Sequence, residues 1–452
     1  MPGRLAITPC KSFYTPLKEE TMNTNTQQPA LAAGDLDPDF GENGVIFTSF
    51  GPETINATAL GVNIAPDGKL LISGYRGQND YALARLNPDG TPDQSFGNAG
   101  FIVGQFKPGL ESAIAATFVT SDQKLVLVGK VYITDAGDTD YRALTRLNRD
   151  GSLDTSFGDQ GSVILDLPLG KAASVSNRFA RDPETLLDSS GQVNAVLQAD
   201  GKIVVNDTFK NIAVTFRLTP DGALDTSFNG TGYVTQSFPD ARTWLGPLYV
   251  ENDKIITAGT YVSQSTGNRP LVIRYNADGS LDSSFGENGI FIAPPESTDS
   301  HSSQLLDAFR ETNGNILGIG STSVYPLKAL IMSFDKDGSI DPAFNGGKAL
   351  LSEISPEGCQ WNNSILDSSS GLNVVCGNTL GSELEVIVGR IDNQGVWDTD
   401  FGGSQGWVRV VPGVGYTLNY DVTVQNDSNI LVVGSFFQST GFLKGFVLRI
   451  LG

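Results

Sequence analysis

The residues in this sequence whose types and spacing could do chemistry are arginine and aspartate, held eight positions apart. Arg85 and Asp93, Arg146 and Asp154, Arg217 and Asp225, Arg274 and Asp282, and Arg390 and Asp398 all keep that interval. A guanidinium at a fixed distance from a carboxylate can mark a row of anion or cation sites, or it can pin a turn by a charge-assisted hydrogen bond. The second is the commoner use of such a pair. The aspartate can alternatively bond the turn backbone and leave the arginine to a neighbouring carbonyl. The spacing therefore predicts a structural contact.

Other candidates are single residues. His301, the sole histidine, lies in the loop from Pro294 to His301, and any Ser-His-Asp triad would have to use it. Spacing alone does not supply its partners, so a solvated loop histidine is expected. Cys10, Cys359 and Cys376 form no Cys-x-x-Cys pair. Buried thiols are expected, with a Cys359–Cys376 bridge as the alternative. The run Asp135-Ala136-Gly137-Asp138-Thr139-Asp140 offers oxygen ligands but lacks the ordered spacing and terminal glutamate of an EF-hand. No cofactor is expected, and calcium at that run is the one exception left open. No Gly-x-Gly-x-x-Gly or Walker sequence stands between a strand and a helix. Of the four tryptophans, Trp397 fills an apolar motif position and is expected in the core. Trp244 and Trp361 fall in variable connections, where indole rings could stack on a ligand.

The elements that must position these residues follow from a repeated motif, Leu-Asp-x-x-Phe-Gly. Its best copy is Leu153-Asp154-Thr155-Ser156-Phe157-Gly158, and its phenylalanines are Phe40, Phe96, Phe157, Phe228, Phe285, Phe344 and Phe401, 56 to 71 residues apart. That period makes the chain a repeat array. Gly44–Phe50, Ala59–Ile64, Lys69–Ser73 and Tyr81–Leu86 read as strands, with Pro66-Asp67-Gly68 as a hairpin turn. The third is almost continuously apolar, which predicts burial on both faces. The same order returns in every repeat, without helices. Four short antiparallel strands per unit describe a propeller blade, so the fold expected is all-β, a seven-bladed β-propeller.

The ends of the array hold half a pair each. Arg449 has no aspartate eight residues on, and the residue eight before Asp37 is Pro29. If Arg449 meets Asp37, the chain closes into a ring. The N-terminal strand then completes the blade built from residues 416–450 and removes an open sheet edge.

Taken together, Leu-Asp-x-x-Phe-Gly-x-x-Gly, an Asp-Gly-Lys turn before an apolar strand, and Arg-Leu-Asn-x-Asp-Gly resemble the delta-60 repeat, a bacterial propeller-type repeat. The departures are Pro92, Ile340 and Trp397 at the leucine position, Asn229 and Asn345 at the glycine, and Ser333 at the arginine. The resemblance covers Leu36 to the C-terminus and implies a propeller-like array. It brings no established reaction and no active site.

The formal charge of −20 argues against a nucleic-acid or anionic-membrane partner, because such surfaces need clustered Lys and Arg. Much of the acidity belongs to turns. Residues 1–35 stand outside the repeat as an extension expected to be disordered, and 36–452 form the propeller. Met22 is an alternative start, because Lys18-Glu19-Glu20 could be encoded by a purine-rich string resembling a ribosome-binding site. Without an apolar run of signal or spanning length the default location is cytoplasmic, with export by an unaided route as the alternative. The expected state is a monomer.

Strand alternation sends the variable connections to one end of the ring and the stereotyped turns to the other. Variable loops on a rigid scaffold are where recognition usually sits. The ligand-binding candidates are Arg178, Arg181 and Asp182 in the long connection from Asp166 to Gly191, with Trp244, Tyr261, Arg269, Tyr325 and Trp361 beside it. The function expected is a non-enzymatic scaffold for a glycan, peptide or protein. The alternative is a hydrolase or lyase with its site over the central channel, since fold alone does not decide function.

Overall fold

The structure is a computed structural model, described here for residues 31–52, 56–133, 139–165, 195–209, 212–298, 302–381, 384–413, 415–438 and 443–452. Its strands, in chain order, are β1 (Val45–Thr48), β2 (Ala57–Ile64), β3 (Leu70–Arg76), β4 (Asp80–Leu86), β5 (Phe101–Gly104), β6 (Glu111–Val119), β7 (Leu125–Ile133), β8 (Thr139–Leu147) and β9 (Ser162–Ile164). They continue with β10 (Ala195–Leu197), β11 (Ile203–Phe209), β12 (Ile212–Leu218), β13 (Tyr233–Gln236), β14 (Arg242–Glu251), β15 (Lys254–Ser263), β16 (Gly267–Tyr275), β17 (Ile290–Ile292), β18 (Ser303–Arg310) and β19 (Ile316–Thr322). The last are β20 (Ala329–Phe334), β21 (Leu350–Ser352), β22 (Cys359–Leu366), β23 (Asn373–Thr379), β24 (Val386–Ile391), β25 (Trp407–Val410), β26 (Gly415–Val424), β27 (Ile430–Gln438) and β28 (Leu443–Ile450).

These strands form seven four-stranded sheets with every described neighbour pair antiparallel. Six sheets use consecutive strands, beginning at β2, β6, β10, β14, β18 and β22. The seventh runs β1-β28-β27-β26, so the first strand closes the last blade as expected. Val45 to Thr48 pair with Leu448 back to Gly445. The fold is a seven-bladed β-propeller sealed by its N-terminal strand.

The strand that opens each blade packs against those of its neighbours, β2 on β6 and on β26, β14 on β18, β18 on β22. These are the inner strands, and the short strands such as β5 and β9 lie outermost. Two sequence features allow the inner strands to approach. A register shift interrupts β2, β6, β14, β18, β22 and β26. Opposite it, the next strand carries a glycine, such as Gly74 or Gly377, whose Cβ would lie 1.9 Å from a carbonyl oxygen of the bulged strand. Any side chain there would push the pair apart.

The core lies between blades, in one apolar cluster at each junction. Each cluster contains one motif phenylalanine, and all seven are at most 1 % exposed. The motif glycine has positive φ, 56° at Gly41 and 51° at Gly97. Asn229 and Asn345, with φ of 54° and 45°, fill the same position. Asparagine tolerates this left-handed backbone better than other non-glycine residues, which explains why those two departures leave the turn intact.

Candidate functional site

Every arginine and aspartate predicted to meet do so. The Nε to Oδ2 distances are 2.8 Å for Arg85–Asp93, 2.6 Å for Arg146–Asp154, 2.7 Å for Arg217–Asp225, 2.8 Å for Arg274–Asp282 and 2.5 Å for Arg390–Asp398. The closing pair, Arg449 with Asp37, stands at 2.7 Å. Each guanidinium also lies over the motif phenylalanine, 4.1 Å from the ring centre at Phe96 and 4.5 Å at Phe40. Five of them donate through NH1 to a turn carbonyl of the next blade, as Arg146 does to Pro220 and Arg449 to Pro88. These arginines clamp a turn, a ring and the neighbouring blade together, which leaves the guanidinium committed rather than open to a ligand.

A second cation in this clamp was missed by the sequence reading. Lys69, Lys124, Lys202 and Lys254 place Nζ 2.9 to 3.4 Å from the same aspartate oxygens. The signal was present in the lysine at, or one residue before, the start of the second strand of those blades. Burial alone would raise the Asp225 carboxyl. Hydrogen bonds from Ser227 and Arg217 and the guanidinium charge outweigh it and bring the group down to about 2. The same balance holds Asp93, Asp154 and Asp282 well below the usual carboxylate range.

The end of the ring opposite the clamps carries the variable connections. Trp244, near the start of β14, is 45 % exposed, and Tyr325, in the β19–β20 connection, is 70 % exposed. Tyr261 and Arg269 face each other across β15 and β16 at this end. Phe238 meets the Tyr261 ring edge-on at 5.3 Å, and the Arg269 guanidinium lies 5.1 Å from the centre of that ring. Nε of Arg269 is buried without a hydrogen-bond partner. The sequence reading overlooked Tyr416, 44 % exposed at the start of β26 on the same end. Its signal was an aromatic at the mouth of an inner strand.

Trp361 requires correction. It sits on the inner strand β22 rather than in a surface connection, and its exposure is 0 %. Its ring packs on half-buried Trp397 at 5.9 Å, within the junction of blades five and six. A ligand on the loop face cannot stack on it. Arg178, Arg181 and Asp182, His301 and residues 135–138 of the calcium-like run lie outside the described residues. Cys359 and Cys376 are free, buried thiols rather than a bridge.

Two carboxylates that no motif marked lie on inner strands. Asp307 Oδ2 accepts from the Ser364 backbone N–H at 2.6 Å and its hydroxyl at 2.9 Å, joining β18 to β22. Asp421 Oδ2 accepts from Val62 N–H at 2.9 Å, joining β26 to β2. Burial is the main cause that pushes both up to about 7, against the hydrogen bonds that lower them.

A family described as "Domain of unknown function (DUF5122) beta-propeller" matches residues 65–96, 120–157, 198–228 and 251–285. Each stretch runs from the turn between the first two strands of a blade to the motif phenylalanine, and together they cover well under half of the chain. The match supports a propeller-type repeat in the first four blades. No curated protein matches the sequence. Among solved structures, the polysaccharide lyase Uly1 is 11 % identical, with 87 % of this chain and 90 % of that one covered, at a TM-score of 0.43. The β-propeller domain of the Trilobed protease from Pyrococcus furiosus is 8 % identical, with coverage of 87 % and 95 % and a TM-score of 0.43. An exo-1,5-alpha-L-arabinanase from a bovine ruminal metagenomic library is 10 % identical over 57 % of this chain and 93 % of that one, at a TM-score of 0.30. Likeness at that level carries no argument about activity, and the blade count rests on this chain's own strand order.

Proposed function

We propose that this propeller, whose repeats resemble the delta-60 type, is a non-enzymatic binding scaffold that recognises a glycan, peptide or protein on its variable-loop face. One observation carries the reading. Trp244, Tyr325 and Tyr416 expose large rings at the same end of the ring, with Arg269 close by, while the clamps occupy the other end. Exposed aromatics suit both sugar faces and peptide side chains, since one end of each ring stays apolar and the other reaches water. The rigid blades hold these rings at fixed positions, which lowers the ordering cost of binding.

The test is a panel of immobilised glycans and peptides probed with the intact protein. Trp244→Ala and Tyr325→Ala should each weaken capture at least tenfold and leave the melting temperature within about 1 °C, as expected of exposed side chains. Capture that depends only on the clamp end, for example on Asp89 or Asp150, would overturn the choice of face.

The second reading is a hydrolase or lyase over the central channel, favoured by Asp307 and Asp421. Carboxyl groups near neutrality suit a general acid, although both are already engaged in hydrogen bonds between blades. Turnover of a polysaccharide panel that disappears in Asp307→Asn or Asp421→Asn would replace the scaffold reading by this one. Location and monomeric state stay with the proposal. Among the described residues no helix is long and apolar enough to cross a membrane.

A further inference from the structure

The fifth blade departs from the clamp in three places at once. Asn315 stands where the first four blades have lysine and the sixth and seventh have Leu372 and Asn429, Ser333 stands where all six other clamps have arginine, and Ala343 where Ser95 or Ser227 bonds the arginine, yet the acceptor Asp341 is retained. A second carboxylate, Glu311, comes in beside it. Ser333 Oγ lies 3.1 Å from Glu311 Oε2 and 3.3 Å from Asp341 Oδ2, and all three residues are buried. A hydroxyl has one proton, so it can satisfy only one of these carboxylates at a time. Asn315 donates to Asp341 Oδ2 at 2.8 Å. Among the described residues neither acid has an ion pair, since Arg310 pairs with Glu251 and Arg390 with Asp398.

An independent feature comes from the next blade. The residue that opens the second strand is apolar in five blades, at Leu70, Leu125, Ile203, Ile316 and Ile430, but in the sixth it is Asn373. That side chain is 1 % exposed, and its Nδ2 donates to Glu311 Oε1 at 2.9 Å. Its Oδ1, on the same amide, is buried with no hydrogen-bond partner. An unpartnered buried amide oxygen is costly, and here it belongs to the side chain that meets Glu311, a carboxylate without an ion pair among the described residues.

We propose that this junction binds a divalent cation of calcium size, held by the Glu311 and Asp341 carboxylates with Ser333 Oγ and Asn373 Oδ1 as neutral ligands. The ion takes the place that an ammonium and a guanidinium fill in the first four blades. Two carboxylates balance its charge, and a calcium ion accepts irregular sets of carboxylate, amide and water oxygens. No group of three His, Cys, Asp or Glu side chains is present among the described residues, so amide, hydroxyl and water oxygens complete the shell. Exposed Asn313 and half-buried Asn315, which donates to Asp341, lie on the turn that follows Glu311.

The experiment measures melting of the chelator-dialysed full chain against added calcium chloride, with sodium chloride at equal ionic strength as the control. The wild type should gain about 3 °C or more and saturate. Ser333→Arg, which restores the guanidinium, and Glu311→Gln should lose at least four-fifths of that gain. If Ser333→Arg does not fold, Asn373→Leu, which restores the residue type of other blades, should still reduce the calcium response. A wild type that ignores calcium overturns the proposal. So does an equal response in all variants, which places the ion elsewhere. A calcium-free wild type that is stabilised on going from pH 8 to pH 6, with no added effect of calcium, would assign the pair a shared proton and refute the metal.

Discussion

Deleting residues 1–50 tests the ring closure most directly, and its cost can be worked from the structure. The deletion removes β1 and its pairing with β28 from Val45↔Leu448 to Thr48↔Gly445. It also removes Phe40 and Phe50, both 0 % exposed, from the cluster between the seventh and first blades. Emptying one buried phenylalanine site costs about 3–5 kcal/mol, so the two rings alone account for roughly 6–10 kcal/mol. Loss of the Asp37 partner leaves Arg449 without its carboxylate and its aromatic platform. The sum approaches the whole stability of an ordinary domain, about 5–15 kcal/mol. The shortened chain should therefore lose its cooperative transition in denaturant titrations followed by circular dichroism. Adding a peptide of residues 31–52 should restore it, because the missing strand is a separable edge. A deleted chain with the same midpoint and the same denaturant slope as the full chain would refute the clasp.

The remaining predictions concern the clamps, Trp361 and the two inner-strand acids. Arg449→Ala should destabilise by about 2–4 kcal/mol, because it strands a largely buried Asp37, and Arg274→Ala by less, because Lys254 still pairs with Asp282 at 3.0 Å; equal losses in urea titration would refute the role given to the lysine. Trp361→Ala should cost about 3–5 kcal/mol as a core deletion and leave ligand capture per folded molecule unchanged. Asp307 and Asp421 have folded values raised to about 7 from 3.8, so their contribution to stability is complete below pH 4 and is lost as pH rises through 7. Both side chains are only half-buried, which reduces the expected effect to about 1–2 kcal/mol per group. Asp307→Asn should gain that much relative to the wild type between pH 5 and pH 8, and parallel stability profiles would refute the assignment.

What was legible in the sequence was what repeats. Seven copies of the motif gave the blade count, and the eight-residue interval gave a contact that recurs six times, five of them with arginine. Even the closure was legible, because a periodic pair leaves visible halves at its ends, although Asp37 and Arg449 are 412 residues apart. The lysine arm of the clamp repeats too, but its distance in sequence from the aspartate varies with loop length, so it left no fixed interval to notice. Trp361 was misplaced for a related reason. The inner strand begins directly after a variable connection, and a large aromatic at that border reads as loop or core with equal ease.

Features that occur once have no period to betray them. Asp307 and Asp421 follow the bulge of their inner strands, where other blades hold Gly61, Ala116 or Asn363. An acid in two blades of seven carries no pattern, and its role depends on Ser364 or Val62 in the adjacent blade. Ser333 was visible as a gap in the arginine series, but a gap alone predicts only a weaker clamp. Its meaning changes once Asn373, 62 residues beyond Glu311, reaches across the junction to that carboxylate. A repeat protein buries its core between units, so a lone substitution is interpreted by a residue one full repeat away. In this chain the departures from the repeat are therefore informative in pairs across junctions. The fifth and sixth blades place theirs in contact, where the loss of a guanidinium and the gain of an amide meet at Glu311.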